Sequence, residues 1–187
     1  MAKDEAYFDI PVEISDSLEK RIFAAFTVYD FNNVNMVDSD DVGNILRFLG
    51  CVPSDEDIKE IVKQTEFSNH PGNIHLSNFM PHLKKLIYHE FMKPSSAEDL
   101  LRAFEVFDSK NKGFIDGTTF KNIMSQFEEE PEKMEEMLKS ALDRTDNKVY
   151  YEIYINQLIH VPEDSIYTLS KQLGDPRRSS IRKIKQK

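Results

Sequence analysis

The chain repeats an apolar pattern at a constant offset of 78 residues, and this repeat restricts the fold more than any other feature. The run AFTVYD at 25–30 returns as AFEVFD at 103–108. The same offset carries later apolar residues onto apolar residues, namely Val37 onto Ile115, Val42 onto Phe120, Ile45 onto Ile123, Leu46 onto Met124 and Leu49 onto Phe127. An apolar helix, a twelve-residue loop and a second apolar helix form an EF-hand. The repeat therefore predicts an all-α fold of two lobes, each with two paired EF-hands.

The first loop keeps part of the ligand set of a calcium site. Such loops supply oxygens from positions 1, 3, 5, 7 and 9, with Gly at position 6 and a bidentate Glu at position 12. With Val37 at the apolar position 8, the candidate ligands are Asp30, Asn32, the carbonyl of Met36, Asp38 and Asp41. Val34 at position 5 offers no oxygen, and Asp41 is one methylene shorter than Glu. The sequence predicts weak Ca²⁺ binding at most.

The other three loops lack the carboxylate at position 12. Their residues at that position are Asn78, Thr119 and Ile153. In the second loop, Glu66 at position 1 leaves one extra residue before Ile74 at position 8. In the fourth loop, Val149 at position 8 places Leu142, and not Asp143, at position 1. We expect no calcium at these loops and no other cofactor.

The third loop carries lysines where ligands would be. Asp108 at position 1 and Gly113 at position 6 preserve its backbone shape, but Lys110 and Lys112 occupy positions 3 and 5. One interpretation is that an ammonium group takes the place of the ion and neutralises Asp108. The other is that both lysines point to water.

Composition fits helical lobes and offers no catalytic site. The 187 residues are 40% hydrophobic, with thirteen Phe, seven Met and no Trp. Phe and Met suit EF-hand interiors and grooves, although ordinary helical cores use them too. His70, His75, His82 and His89 have no cysteine or carboxylate at zinc-ligand spacing. Because phosphate-binding glycine loops and nucleophile motifs are absent, we expect a protein that is not an enzyme.

Cysteine usage and hydropathy suggest the compartment. The single cysteine, Cys51, excludes an internal disulfide and fits a reducing environment. The sequence contains no apolar run of about eighteen residues and no signal peptide. We expect an intracellular, soluble chain without a membrane or nucleic-acid partner.

Charge is distributed unevenly along the chain. Residues 175–187 carry six basic residues and one acidic residue, whereas the remainder carries 18 basic and 32 acidic residues. An acidic body suits basic partner helices, and a basic tail suits an acidic surface such as tubulin. Arg177 and Arg178 precede Ser180 with the spacing that basophilic kinases accept, so Ser180 is a candidate phosphosite. The alternative is that these charges only solvate the chain.

Local signals divide the chain into six segments. These are an extended arm at 1–14, a first lobe at 15–92, a linker at 93–96, a second lobe at 97–161, a short helix at 162–174 and the basic tail at 175–187. Pro94 disfavours a continuous central helix. The short helix has Ile166, Leu169 and Leu173 on one face, so it either covers its own lobe or docks on a neighbour.

Several runs resemble known EF-hand proteins. Most of residues 15–160 resembles the calmodulin superfamily, with ligand losses like those of myosin light chains. The runs LGCVPS at 49–54, LLRAFEVFDS at 100–109 and MEEML at 134–138 are similar to EF-hand subunits of the axonemal nexin–dynein regulatory complex. The resemblance implies a calmodulin-like fold and membership of that complex, which links doublet microtubules in cilia and flagella and restrains dynein-driven sliding. The basic tail departs from this family.

The resemblance also implies a mode of action. Met124 and Met137 match positions that face targets in calmodulin-like proteins, so they are candidates for a partner-binding groove, with core packing as the alternative. We expect a subunit in the cytoskeleton of the cilium or flagellum that binds amphipathic or IQ-like helices of larger subunits, largely independently of calcium. Two alternatives are a calcium sensor that uses the first loop alone and a light-chain or calcineurin-B-like regulatory subunit of an enzyme.

Overall fold

The computed structural model describes residues 10–67, 70–127, 131–159 and 165–174. Contacts divide the chain into two units, of which unit 1 comprises Met1–Pro94 with Val161–Lys187 and unit 2 comprises Ser95–His160. The described part is mostly helical, as predicted. None of its helices is long and apolar enough to cross a membrane.

Unit 1 contains two EF-hands. Its elements are α1 (Ser17–Thr27), β1 (Met36–Asp38), a 3-10 turn (Ser39–Asp41), α2 (Val42–Phe48), α3 (Asp55–Thr65), β2 (Glu66–Phe67), β3 (His70–His75) and α4 (Leu76–Tyr88). The predicted capping box at α3 is present, because Ser54 accepts from the Asp57 amide while Asp57 accepts from the Ser54 amide. Gly50, with φ of +85°, follows α2 in the left-handed conformation that ends many helices.

Unit 2 repeats the plan in the same order. Its elements are α5 (Ala97–Phe107), β4 (Ile115–Asp116), α6 (Gly117–Met124), α7 (Pro131–Ala141), β5 (Lys148–Val149) and α8 (Tyr151–Leu158). Ser96 caps α5 by accepting from the Asp99 amide. The last helix among the described residues, α9 (Ile166–Leu173), belongs to unit 1.

Short antiparallel strands join the loops of each pair. Unit 1 has a three-stranded sheet in the order β1-β3-β2, in which Val37 is opposite Ile74. In unit 2, Ile115 is opposite Val149. Both pairs join position 8 of one loop to position 8 of its neighbour. The predicted registers are therefore present, including the fourth loop in which Leu142 and not Asp143 is position 1.

Unit 1 has the larger core. Side chains from α1, α2 and α4 are completely buried there, including Leu18, Ile22, Phe26, Ile45, Leu46, Phe79, Leu83 and Ile87. The rings of Phe26 and Phe79 meet with centroids 5.6 Å apart. Residues 10–16 precede α1 without forming a helix or strand, and Val12 packs against this core.

The helix predicted within 162–174 is present as α9 and packs on the first lobe. α9 contacts α1 and α4. It ends at Gly174, whose φ is +74°. The predicted apolar face was only partly right, because Ile166 is buried whereas Leu169 is half-buried and Leu173 is exposed. The surface that buries α9 comes from residues far away in the chain, so the sequence pattern did not indicate it. Residues 1–9 of the arm and the whole of the basic tail, with Ser180, lie outside the described residues.

The core of unit 2 is smaller. It consists of Ile115, Phe120, Ala141, Val149, Tyr151 and Tyr154. Phe104 of α5 stacks on Phe120 and on Tyr151, with ring centroids 6.2 and 5.7 Å apart. α5 nevertheless has no fully buried side chain.

Candidate helix-binding grooves

Asp30 in the first loop holds the loop's own backbone. Its carboxylate is buried, and its two oxygens accept from the amides of Val34 at 3.1 Å and Asn35 at 2.8 Å. Asn35 has φ of +57°, the conformation that Gly adopts at position 6. Asp38 accepts from the Asp40 amide at 2.9 Å and so caps the 3-10 turn. These contacts hold the backbone of the loop in place.

The second loop closes into a hairpin. The Glu66 carboxylate accepts from the Gly72 amide, and a bulge between Glu66 and Phe67 absorbs the extra residue. At position 12, the Asn78 side-chain amide donates to the carbonyl of Thr65 at 3.3 Å. An N–H group therefore faces the loop where a calcium site needs a carboxylate.

A tyrosine hydroxyl reaches the first residue of the third loop. Tyr151 donates to Asp108 at 3.2 Å, and the Gly113 amide donates to the same oxygen at 2.8 Å. Burial opposes ionisation of Asp108, but the amides of Lys112 and Gly113 and the Tyr151 hydroxyl outweigh it and lower the pKa of that carboxyl. Sequence reasoning missed Tyr151, because it lies in the opposite loop, at position 10.

The lysines of the third loop point outward. Lys110 and Lys112 are exposed, and the Lys112 ammonium lies 5.4 Å from the centre of the Phe114 ring. The Lys148 ammonium lies on the same ring at 4.5 Å. The interpretation in which an internal ammonium neutralises Asp108 is therefore wrong, since a hydroxyl makes that contact.

The donor sets do not fit a metal ion. The first loop lacks an oxygen side chain at position 5, and the other three lack a carboxylate at position 12. Within the described ranges, no three His, Cys, Asp or Glu side chains are grouped closely enough to hold a metal.

α9 occupies a groove on unit 1. The groove lies between α1 and α4, and Ile166 and Tyr167 are buried in it. The Tyr167 hydroxyl donates to the carbonyl of Phe91 at 2.9 Å and lies 3.4 Å from the Cys51 sulfur. The Lys171 ammonium forms an ion pair with Glu90 at 2.8 Å. We call this surface the first groove.

The matching surface of unit 2, the second groove, is uncovered. In unit 1, Leu49 and Leu83 are 6% and 0% exposed, whereas their counterparts Phe127 and Leu158 are 75% and 52% exposed. The same contrast holds for half-buried residues of unit 2 whose counterparts in unit 1 are fully buried, namely Leu100 with Ile22, Phe104 with Phe26, Met124 with Leu46 and Met137 with Ile61. The described part of unit 2 has no helix in the place of α9.

The predicted groove methionines are half-buried. Met124 and Met137 pack against the core of unit 2, so core packing accounts for part of each side chain, and their role in a groove stays a prediction. Sequence reasoning missed Phe127 and Leu158. The offset of 78 residues pairs Phe127 with Leu49, but the exposure of Phe127 becomes visible only when the two lobes are compared in three dimensions.

Comparison with known proteins supports one family. No protein-family model matches the chain. It is 34% identical over 145 residues to mouse (Mus musculus) dynein regulatory complex protein 8, covering 76% of this chain and 88% of that protein. It is also 34% identical over 96 residues to the human (Homo sapiens) protein of that name, covering 51% of this chain and 36% of the human one.

The fold has a solved counterpart. The crystal structure of Mlc1p bound to IQ2 of Myo2p, a class V myosin, matches with a TM-score of 0.55 and 19% identity, covering 74% of this chain and 96% of that one. This match shows the fold. The chain is also 30% identical over 130 residues to putative calmodulin-like protein 6 of rice (Oryza sativa subsp. japonica), covering 68% of this chain and 75% of that protein, and with the paired loops this defines an EF-hand protein of the calmodulin superfamily. Its identity to the mouse relative places it in the dynein regulatory complex protein 8 family, as the resemblance implied.

Proposed function

We propose that this chain is a non-catalytic subunit of the nexin–dynein regulatory complex, located in the axoneme of cilia or flagella, that binds a helix of a larger subunit in its second groove. Two comparisons support the proposal. The relatives of the chain are named dynein regulatory complex protein 8, and the solved structure with the matching fold is Mlc1p bound to an IQ motif of Myo2p. The observation that carries it is the contrast between the two lobes. Apolar residues buried in unit 1 are exposed at matching positions of unit 2.

The second groove suits an amphipathic, basic helix. Phe127, Leu158 and the half-buried faces of Met124 and Met137 form an apolar surface, and burying one such side chain contributes about 1.5–3 kcal/mol. Residues 95–160 contain 14 acidic and eight basic residues. Opposite charge on the polar side of a partner helix therefore steers association and sets its orientation.

Binding is proposed to be independent of calcium. The contacts that shape the loops are made by protein groups, such as the Tyr151 hydroxyl on Asp108. Titration calorimetry with Ca²⁺ in a magnesium-containing buffer tests this, and we expect no site tighter than about 10 µM, the range that sensor loops occupy. A tighter site that disappears in Asp30→Ala would restore the alternative of a sensor that uses the first loop.

Capture from axonemal extract tests the partner. Full-length protein, in the presence of a calcium chelator, is expected to retain a larger subunit of the complex, with chemical cross-links to unit 2. Phe127→Glu and Leu158→Glu should weaken capture at least tenfold, because an unpaired carboxylate in an apolar interface costs several kcal/mol. Phe31→Glu is the matched control, since Phe31 is an exposed aromatic residue of unit 1.

Met124→Glu and Met137→Glu distinguish a groove role from a core role. If the methionines face the partner, capture weakens while helicity and the melting temperature stay nearly unchanged. If either variant unfolds in isolation, that methionine belongs to the core. Equal capture by the Phe127 variant, the Leu158 variant and wild type would contradict the second groove as the binding surface.

A further inference from the structure

The position of α9 suggests what the first groove binds. α9 lies against α1 and α4, and it reaches Cys51 after α2 and Phe91 after α4. These two residues follow the ends of helices that run away from the strands, so α9 lies on the side of the lobe opposite the sheet. This is the face on which unit 2 exposes Phe127 and Leu158.

Two EF-hands do not need a ninth helix in order to pair. Unit 2 has the same four helices and the same strand pairing, with the matching face left uncovered. The pairing of two EF-hands therefore does not require α9, which occupies the first groove in the way that a ligand would.

α9 packs against both α1 and α4, but only a short part of it is fully buried. Of its eight residues, Ile166, Tyr167 and Ser170 are buried, and Leu173 at its end is exposed. Isolated helices of this length are not stable in water, so α9 depends on the groove for its structure. The ion pair between Lys171 and Glu90 is solvent-exposed and shifts the docking equilibrium of α9 by at most about fivefold, and reversing the charge of Lys171 adds a repulsion to its loss.

We propose that α9 is an internal ligand of the first groove and that a partner helix with the same pattern displaces it. The pattern is an adjacent aliphatic and aromatic residue, as in Ile166 and Tyr167, followed by a basic residue in the place of Lys171. The aromatic residue fills the space over Cys51, and a hydroxyl on it reaches the carbonyl of Phe91. The basic residue of the partner forms an ion pair with Glu90. The inference extends the proposed function to a second helix-binding surface, which is free only when α9 has left.

Cys51 reports the release of α9. It is the single cysteine of the chain, it is buried, and the Tyr167 hydroxyl lies on its sulfur. The rate of its alkylation in the full-length protein, measured at rising urea concentrations below the unfolding transition, separates local opening from global unfolding. We expect alkylation through a local opening with little dependence on urea.

Lys171→Glu should increase this alkylation rate roughly three- to tenfold, because it replaces an ion pair with a repulsion while leaving the buried residues intact. Gln172→Glu is the control, since Gln172 is exposed on the same helix, and it should leave the rate unchanged. Alkylation that occurs only at the rate of global unfolding, in wild type and in Lys171→Glu alike, would overturn the proposal.

Competition tests the ligand role directly. The probe is a synthetic peptide of residues 165–174, acetylated and amidated, and the protein is the full chain with Leu158→Glu to block the second groove. The peptide should bind more tightly when Lys171→Glu is added than when Gln172→Glu is added, because the internal competitor is weaker. Equal binding to both would overturn the inference. It would leave the proposed function intact, since that function is read from capture by unit 2.

Discussion

At the scale of residues, protein groups have taken over the contacts that an ion would make. Asp108 keeps its place at the start of the third loop, but its partners are the Gly113 amide and the Tyr151 hydroxyl. A buried carboxylate needs donors, and these two supply them. A loop can therefore lose its ligands and keep its shape.

Replacing Tyr151 with Phe should destabilise unit 2 by about 1 kcal/mol, because the hydroxyl is lost while the ring and its stacking on Phe104 remain. Tyr150→Phe removes a hydroxyl that is bonded to the exposed Asp146 and should have a smaller effect. Urea unfolding followed by circular dichroism measures both variants. An equal loss of stability in the two variants would mean that the contact with Asp108 has no special role.

His75 makes unit 1 sensitive to acid. The ring is completely buried, Nδ1 accepts from the Ser77 amide, and Nε2 has no partner among the described residues. Burial lowers the pKa of His75, although the charge of Asp30 opposes this. The unfolded state therefore binds the proton more readily, and stability should fall as pH decreases below about 6.5.

His75→Asn keeps an acceptor for the Ser77 amide and removes the titrating ring. The slope of stability against pH between 7 and 5 should become smaller in this variant. The slope should not vanish, because burial also lowers the pKa of His82. The charge of Lys85 lowers the pKa of His82 further, by a smaller amount. An unchanged slope, measured by urea unfolding at each pH, would show that His75 is not the source of the acid sensitivity.

At the scale of elements, one lysine ties α1 to α4. The Lys84 ammonium pairs with Asp16 at 2.8 Å and with Glu19 at 2.5 Å. Asp16 and Glu19 also form the capping box that begins α1. The same carboxylates therefore start one helix and hold it against another.

Lys84→Met should destabilise unit 1 by about 1 kcal/mol at pH 7, since it leaves two carboxylates side by side. Although burial opposes ionisation, hydrogen bonds from Lys84 and Ser15 lower the pKa of Glu19 to about 2, against 4.5 for the free side chain. The stabilisation from Glu19 is therefore present above about pH 4.5 and is lost as pH falls toward 2. The neighbouring Lys85→Met is the control, because Lys85 is exposed. Thermal melts should show a difference between the two variants that is full at pH 7 and smaller at pH 3, where part of the stabilisation from Glu19 has been lost.

The helices, the loops and the strand registers could be predicted from the sequence, whereas the tertiary contacts of these elements could not. Position 8 of each loop must be apolar to pair with its neighbour, so Val37 and Val149 identified the loops correctly, including the shifted fourth loop. The packing of α9 on α1 and α4 and the contact of Tyr151 with Asp108 depend on residues far away in sequence. Apolar periodicity predicts that one face of a helix is buried, but it does not predict which residues bury that face.

At the scale of the whole molecule, charge separates the body of the chain from its end. The body is acidic, and residues 175–187 carry a net charge of +5. We propose that this tail attaches the subunit to an acidic surface such as tubulin, in parallel with helix binding by unit 2. Such an attachment is electrostatic, so it weakens as salt rises.

Deleting residues 175–187 should reduce co-sedimentation with microtubules at low salt. Ser180→Glu should reduce it partly, because it adds a negative charge near Arg177 and Arg178, and a phosphate would act more strongly. Ser179→Ala is a control that leaves the charge unchanged. Unchanged sedimentation of the deletion variant at low salt would leave the tail as a solvating extension.

If the second groove binds a helix as proposed, the partial burial of α5 links the lifetime of the protein to its assembly. A lobe whose first helix has no fully buried side chain obtains part of its folding free energy from whatever fills its groove. Chains without a partner then open more often and are cleaved more readily by proteases. We expect cells to hold this subunit in proportion to the protein that it binds, because surplus copies are degraded.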